Sequence, residues 1–183
     1  GAMFANAFHT TPLCSPNRAS ILTGQYASRH GIIDNVGRDA MSHRLANYHL
    51  ALKSLGYETA HIGKWHMGNS GKPRPGYDYW VAYDGHGRLN DPKLNEHGRY
   101  VQRKGYITDI MNRMAVDFVR QKHTKPWSLW FAHKAVHPDA EHLHPTIAQR
   151  PIAAHAHQVH HAVEDRHVAA RAVRRRVLEV GES

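Results

Sequence analysis

Helix-like segments alternate with short apolar runs of strand length along this chain. Leucines at helical spacing predict a helix over residues 42–55, and residues 57–62 follow it as a strand. Apolar residues recur at helical spacing over 107–118, and the apolar run 127–132 comes after them. This alternation predicts an α/β fold with a mixed, mostly parallel sheet flanked by helices. Residues 63–104 are rich in Gly, Pro, Asn and Asp, which predicts a loop.

A further helix is predicted near the single cysteine of the chain. Cys14 or Ser15 can cap this helix, Pro16 suits its first turn, and Gly24 ends it. The first turn of a helix presents unpaired N–H groups and the positive end of the helix dipole. Cys14 is therefore expected where an anion binds. The alternative is the ordinary fate of a lone cysteine, that of a small buried hydrophobe.

Basic side chains directly follow both predicted strands. Lys64 and His66 come after the first strand, and Lys134 and His137 come after the second. In open α/β sheets, ligands bind outside the carboxyl ends of the strands. These cations and the N–H groups near Cys14 can therefore converge, and together they suit a tetrahedral oxyanion such as sulfate or phosphate.

Two short motifs point to a family that uses such an oxyanion. Residues 14–24 read CSPNRASILTG, which resembles the first sulfatase signature, C-x-P-x-R-x-x-x-T-G. Residues 56–68 read GYETAHIGKWHMG, which resembles the second signature, G-Y-x-T-x-x-x-G-K-x-H. One such motif is weak support, but two in the family's order and near its usual separation are strong support.

Further segments extend the resemblance over the first three quarters of the chain. PWSLWFAHKAVHP at 126–138 is similar to the sulfatase strand that ends in a histidine contacting sulfate. GYDYW, YDGHGRLNDP and GYITDI, all within 76–118, are similar to segments of sulfatases that act on sulfated sugars. The resemblance implies an alkaline-phosphatase-like fold, incomplete in this chain, and hydrolysis of a sulfated sugar or aryl sulfate.

The resemblance also implies a nucleophile and its supporting residues. In the family, a formylglycine-generating enzyme oxidises the cysteine, and the hydrated aldehyde attacks sulfur. Carried over to this chain, the nucleophile is formylglycine made from Cys14, and Arg18 and His66 hold it. Lys64 contacts both the hydrate and the sulfate, while His137 binds sulfate or protonates the leaving oxygen.

Lys134 is a further candidate for substrate binding. That it is a solvated lysine in a loop is an equally good interpretation.

The charge of the chain agrees with an anionic substrate. The formal net charge is +9. All of it lies before residue 139, because acidic and basic residues balance from there to the end. A basic cleft that attracts an anion would produce this distribution.

The calcium site of the family is where this sequence departs from the pattern. Sulfatases bind calcium through two aspartates upstream of the cysteine and an Asp-Asn pair far downstream. Residues 1–13 contain no acidic residue, and Asp34 with Asn35 lies too close to Cys14 to be the downstream pair. The downstream sulfate-binding lysine has no counterpart either. Because calcium requires oxygen ligands, formylglycine at Cys14 is the only calcium ligand expected here. The chain is therefore expected to be an internal piece of a sulfatase.

The last quarter of the chain differs in composition from the rest. Residues 1–140 are interpreted as a partial catalytic domain, and residues 141–183 as an Ala/Arg/His-rich tail outside the family pattern. The tail is either a low-complexity helix or the product of a reading frame lost near Glu141. Two groups of histidines in the tail could chelate a transition metal, although a solvent-facing position is the favoured interpretation. They are His142 and His144, and His155, His157, His160 and His161.

Three rival functions remain open from the sequence. A catalytically dead remnant would still bind anions through Lys64, His66 and His137. A phosphoryl-transfer relative is disfavoured by the cysteine motif, and a nucleic-acid-binding module has charge in its favour but no binding motif. A zinc protease is excluded, since His61 and His66 do not form H-E-x-x-H. Complete relatives are periplasmic or secreted, but this chain shows neither a signal peptide nor an apolar stretch that could span a membrane, so its location stays open.

Overall fold

The computed structural model describes residues 5–6, 8–36 and 39–135. His137 and the predicted tail lie outside these residues, so the interpretations made for them stay predictions. The described elements, in chain order, are α1 Cys14–Thr23, α2 Ala27–His30, α3 Asp39–His43, α4 Tyr48–Ser54, β1 Glu58–Gly63, β2 Tyr79–Ala82, β3 Lys93–Glu96, β4 Arg99–Gln102, α5 Ile107–Arg120 and β5 Trp127–Ala132.

The strands form one mixed sheet in the order β4-β3-β2-β1-β5. β1 lies between β2 and β5 and runs parallel to both, with Ala60 paired to Tyr79 on one side and Leu129 on the other. β3 pairs antiparallel with both β2 and β4. The predicted mixed sheet flanked by helices is confirmed, and β1 is buried along nearly its whole length, as a central parallel strand requires.

The prediction of a loop over 63–104 is wrong, because this segment contains β2, β3 and β4. Each of these strands has only four residues, and β3 reads KLNE, which has little strand propensity. Pairing with the neighbouring strands compensates for that composition. β3 and β4 are joined by His97 and Gly98, both with positive φ (52° and 95°), as a two-residue hairpin turn requires.

The single helix predicted over 42–55 is also wrong, because the chain breaks into α3 and α4. The break lies at Asn47, whose side chain accepts hydrogen bonds from the N–H groups of His49 (3.0 Å) and Leu50 (3.2 Å). An asparagine that caps a helix in this way stabilises a new start and satisfies two orphan donors. α4 then ends at Ser54, just before the Gly56 that was expected to stop the helix.

Apolar residues pack on both faces of the sheet. The helix predicted over 107–118 is confirmed as α5, and its apolar face covers one side of the sheet. On the other side, α1 packs against Trp65, Met67 and Trp80. This two-sided packing fixes the positions of the strand ends, where the basic residues lie. No helix in the described ranges has the length and apolar character needed to cross a membrane.

Candidate active site

The first turn of α1 places Cys14 at the edge of an open cleft. Leu13, with extended backbone, is the N-cap residue, so the prediction that Cys14 or Ser15 caps the helix is wrong. The cap residue contributes no side-chain hydrogen bond. Instead the N–H of Ser15 donates to Oδ1 of Asn35 (2.9 Å), and the Ser15 hydroxyl donates to the carbonyl oxygen of His66. A loop residue and the segment after β1 therefore hold the helix start that carries Cys14.

Gly63 allows the ends of β1 and β5 to meet. Its φ is +123°, and a Cβ at this position would lie 1.9 Å from the carbonyl oxygen of Ala132. Only glycine fits such a close backbone approach. The next residue, Lys64, donates its N–H to that same carbonyl at 2.7 Å. The glycine of the G-K-x-H motif thus sets where the lysine leaves the sheet.

Lys64 brings a positive charge next to the sulfur of Cys14. Its side chain is buried, with the residue only 2% exposed. The ammonium nitrogen lies 3.9 Å from Sγ of Cys14 and 3.4 Å from Nδ1 of His86. A cation this close to the sulfur would attract an anion that approaches Cys14.

Arg18 lies one helical turn after Cys14 and faces the same end of β1. Its Nη1 donates a hydrogen bond of 2.6 Å to the carbonyl oxygen of Lys64. Burial lowers the pKa of Arg18, while nearby Tyr83 and Cys14 act in the opposite direction. Arg18 therefore ties α1 to the strand end and adds a second cation beside Cys14.

His66, two residues after Lys64, is also buried. It is 4% exposed, and its φ of +49° is uncommon for a residue other than glycine. Its ring lies 4.4 Å from the ring of His86, measured between centroids. The structure thus brings Cys14, Arg18 and Lys64 together with His66 close by, as their positions in the two motifs predicted.

Lys134 follows β5 and is buried, with 3% exposure. Its ammonium donates to the carbonyl oxygens of His86 (3.0 Å) and Gly87 (3.3 Å). Lys134 is therefore not a solvated loop lysine, which was one of its two readings. Its role in substrate binding stays a prediction, as does that of His137.

Sequence reasoning missed His86, which contacts Lys64, His66 and Lys134 through different atoms. A signal was present, because His86 stands between two glycines in YDGHGRLNDP, and glycines in such a pattern allow a tight loop. No feature of the sequence near His86 indicates that this loop folds over the end of β1. That placement follows from β2, which the sequence did not reveal.

The cleft has a volume of about 640 Å³ and opens beside Cys14. None of its described lining residues is Asp or Glu, and three of them, Arg18, Lys64 and Lys134, are basic. The lining residues are His9, Thr11, Pro12, Leu13, Cys14, Asn17, Arg18, Ile21, Lys64, Trp130, Ala132, His133, Lys134 and Ala135. Such a basic cleft favours an anionic ligand.

The described residues do not fit a calcium ion. Within them no group of three or more His, Cys, Asp or Glu side chains comes together to hold a metal. Asp34 and Asn35 serve local structure, since Asp34 accepts the N–H of Val36 (3.0 Å) and Asn35 accepts that of Ser15. Calcium needs several oxygen ligands at once, and these two side chains do not supply them.

His61 lies in β1 beneath the site and belongs to the core. It is fully buried among aromatic rings, including those of Trp65, Trp80 and Trp130. Burial, aided by the charge of Arg18, lowers its pKa to about 3. His61 is therefore neutral at physiological pH and takes no part in anion binding.

A family model described as Sulfatase matches residues 1–172. The chain belongs to the sulfatase family. It is 33% identical to the N-acetylglucosamine-6-O-sulfatase of Bacteroides thetaiotaomicron over 78% of its length, and 29% identical to human N-acetylgalactosamine-6-sulfatase over 82%. These matches cover 26% and 34% of the two relatives, so this sulfatase chain spans between a quarter and about a third of their length.

Solved structures agree on the fold. One, described as a complex with its substrate D-glucosamine-2-N,6-O-disulfate, matches 73% of this chain and 27% of its own, with a TM-score of 0.64 and 32% identity. A sulfatase from Pseudoalteromonas sp. matches 72% of this chain and 36% of its own, with a TM-score of 0.58. Its identity is 18%, so this second likeness concerns the fold alone. The predicted alkaline-phosphatase-like α/β fold is confirmed.

Proposed function

We propose that this chain carries the nucleophile-bearing part of a sulfuric ester hydrolase that releases sulfate from a sulfated sugar. The observation that carries the proposal is the position of the Lys64 ammonium, 3.9 Å from Sγ of Cys14 in a cleft without carboxylates among its described lining residues. A sulfate ester is an anion, and further negative charge develops on its leaving oxygen as the ester bond breaks. Fixed cations at that place stabilise the developing charge.

The residues around Cys14 have different proposed roles. α1 begins at Cys14, so the positive end of its helix dipole lies beside the cleft and favours an anion there. Lys64 would contact both the nucleophile and the sulfate, and Arg18 fixes the backbone of Lys64 through its carbonyl oxygen. Lys134 lies in the same wall of the cleft and adds to its positive potential. His137 is the proposed donor to the leaving oxygen, on the strength of its place in the third family segment.

Formylglycine at Cys14 would supply two hydroxyl groups as a hydrate, one to take the sulfuryl group and one to expel sulfate. A formylglycine-generating enzyme is therefore a proposed partner of the unfolded chain. Calcium is typical of the family, but because the described residues supply no site for it, no step of the proposal uses that ion.

The substrate class rests on the named activities of the relatives. The bacterial relative is named for N-acetylglucosamine 6-O-sulfate and the human relative for N-acetylgalactosamine 6-sulfate. A sulfated sugar is therefore the proposed substrate, and the basic cleft agrees with it. One relative, from Drosophila melanogaster, is named an extracellular sulfatase, and location outside the cytosol is proposed here on that likeness.

Two measurements test the proposal. Co-expression with a formylglycine-generating enzyme should lower the mass of the Cys14 peptide by about 18 Da, as conversion of a thiol to an aldehyde requires. An unmodified thiol throughout would contradict the assignment of the nucleophile. Titration with inorganic sulfate should show binding that Lys64→Met weakens and Lys53→Met does not, because Lys53 lies outside the cleft and pairs with Asp78.

A catalytically silent anion-binding chain is the second candidate. The absence of a metal-holding group among the described residues favours it. Sulfate binding that depends on Lys64, combined with a Cys14 that stays a thiol after co-expression, would indicate this function instead.

A further inference from the structure

His86 links the basic residues that follow two different strands. Its Nδ1 lies 3.4 Å from the ammonium of Lys64, and its ring lies against that of His66. Its carbonyl oxygen accepts a hydrogen bond of 3.0 Å from the ammonium of Lys134. One residue therefore contacts the lysine that follows β1 through its side chain and the lysine that follows β5 through its backbone.

The loop that carries His86 has a fixed shape. Gly85 and Gly87 both have positive φ, and a Cβ at Gly87 would lie 2.3 Å from the ring of Tyr83, so the loop packs tightly on that ring. The N–H of Gly85 donates to the carbonyl oxygen of Asn69 (2.8 Å). The Asp84 carboxylate accepts the N–H of Gly71 at 2.6 Å. The loop is thus tied to the segment that leaves β1, and His86 is held in place before any ligand arrives.

The chemistry of the Lys64 contact determines how His86 is protonated. An ammonium group can only donate hydrogen bonds, so Nδ1 of His86 must accept and its proton must lie on Nε2. In that tautomer the imidazole is neutral and directs a lone pair at the ammonium. The contact then restrains a flexible lysine that also lies near the sulfur of Cys14.

We propose that His86 is a positioning residue that holds the Lys64 ammonium over Cys14 through Nδ1 and the Lys134 ammonium through its carbonyl oxygen. The inference deepens the proposed function, since it explains how two long side chains from separate strands are fixed before an anion binds. Charges that are oriented in advance stabilise an anion without reorganisation. The geometry concerns the thiol form, so the proposal can be tested whether or not Cys14 is converted to formylglycine.

The test measures the local potential at Cys14 with two alkylating reagents. Iodoacetate is an anion and iodoacetamide is neutral, and both react with the thiolate. The ratio of their rate constants at one pH therefore cancels the fraction of thiolate and reports the charge near the sulfur. At low ionic strength Lys64→Met should lower this ratio about fivefold, the factor expected for two unit charges about 4 Å apart in water.

Variants of His86 then separate positioning from mere folding. His86→Ala should lower the ratio most of the way to the Lys64→Met value. His86→Asn should keep it within about twofold of the parent, because the amide oxygen can replace Nδ1 as an acceptor. His43→Ala, which removes an exposed histidine of α3, should leave the ratio unchanged. An unchanged ratio in His86→Ala, or an equal loss in His86→Asn, would overturn the proposal.

A measurement on the unaltered chain keeps the proposal open to refutation if His86→Ala does not fold. Nitrogen-15 chemical shifts of the imidazole distinguish the two neutral tautomers. A proton on Nε2 and a hydrogen-bonded, unprotonated Nδ1 are expected for His86. A neutral His86 with its proton on Nδ1 would be incompatible with acceptance from Lys64 and would overturn the assignment.

Discussion

The N–H of Lys64 donates a hydrogen bond of 2.7 Å to the carbonyl oxygen of Ala132, at the point where two parallel strands end beside the basic cleft. This bond joins the residue that carries a charge of the site to the last residue of β5. Its length depends on Gly63, because any side chain there would separate the two backbones.

Gly63→Ala should destabilise the chain strongly. Its Cβ would lie 1.9 Å from a backbone oxygen that has little freedom to move, and the positive φ adds strain. We expect a loss of at least about 3 kcal/mol in the free energy of unfolding, the sum of overpacking and left-handed backbone costs. Urea denaturation measures it.

Gly105→Ala is the matched control for that substitution. Gly105 also has a large positive φ, +108°, but no atom lies within 4 Å of the point that a Cβ would occupy there. Its replacement should cost only the backbone strain, about 1 to 2 kcal/mol. Equal losses for both variants would show that the approach of β1 to β5 is not what requires glycine at position 63.

Asn35→Ala should destabilise the start of α1. The amide oxygen of Asn35 is the side-chain acceptor for the N–H of Ser15, and the N-cap residue Leu13 cannot replace it. Removing a helix cap costs about 1 kcal/mol in the free energy of unfolding. Asn17→Ala, which removes an exposed contact with His9, serves as the control and should change that free energy far less. A loss in Asn35→Ala no larger than that of the control would contradict the capping role.

Acid should destabilise the fold through two buried histidines. Burial lowers the pKa of His49 to about 4 and that of His61 to about 3, from an ordinary value of 6.5. The unfolded chain therefore binds more protons than the folded chain below pH 6.5. Their full contribution to stability is present above that pH and falls as the pH drops toward 4.

The size of this effect can be measured with a variant. Between about pH 6.5 and 4.5 each histidine should remove about 2 kcal/mol from the free energy of unfolding. His61→Phe keeps a ring in the aromatic cluster but cannot take up a proton, so its stability should depend less steeply on pH over that range. The same pH dependence in the parent and the variant would mean that the pKa of His61 is not lowered in the folded chain.

The sequence predicted those parts of the fold whose signals are local. The largely apolar run of β5 and the helical spacing of α5 were sufficient, since both signals lie within the element itself. β3 was missed because KLNE forms a strand only through its neighbours on both sides. Asn47 could have revealed the break between α3 and α4, as a capping residue in the middle of a predicted helix.

The site shows the same division between local and distant information. Cys14, Arg18 and Lys64 were found because their motifs fix the residue types and the spacing. His86 was missed because its importance depends on a loop that follows β2 and folds back over β1. A contact made across the sheet leaves no periodic signal in one sequence.

The isolated chain should show little or no arylsulfatase activity, even with formylglycine at Cys14. Within the described residues no three His, Cys, Asp or Glu side chains come together to hold a metal ion, and the sequence has no counterpart of the family's downstream lysine. Each electrostatic stabiliser of this kind is worth about 10²- to 10³-fold in rate. Assay of the matured chain with an aryl sulfate, with and without added calcium, measures this. Rapid turnover that requires calcium would show that other residues of the chain supply the ligands.

Residues 151–180 should not form a protected part of the α/β core. They contain no aromatic residue to anchor a core contact, and residues 139–183 carry balanced charge, so neither apolar burial nor attraction to the basic cleft is favoured. Hydrogen exchange should be fast across this segment and slow in α5, whose buried face makes it an internal standard. Protection of residues 151–180 comparable to that of α5 would contradict both the tail assignment and the proposed loss of frame. A segment that packs with the core would belong to the folded domain.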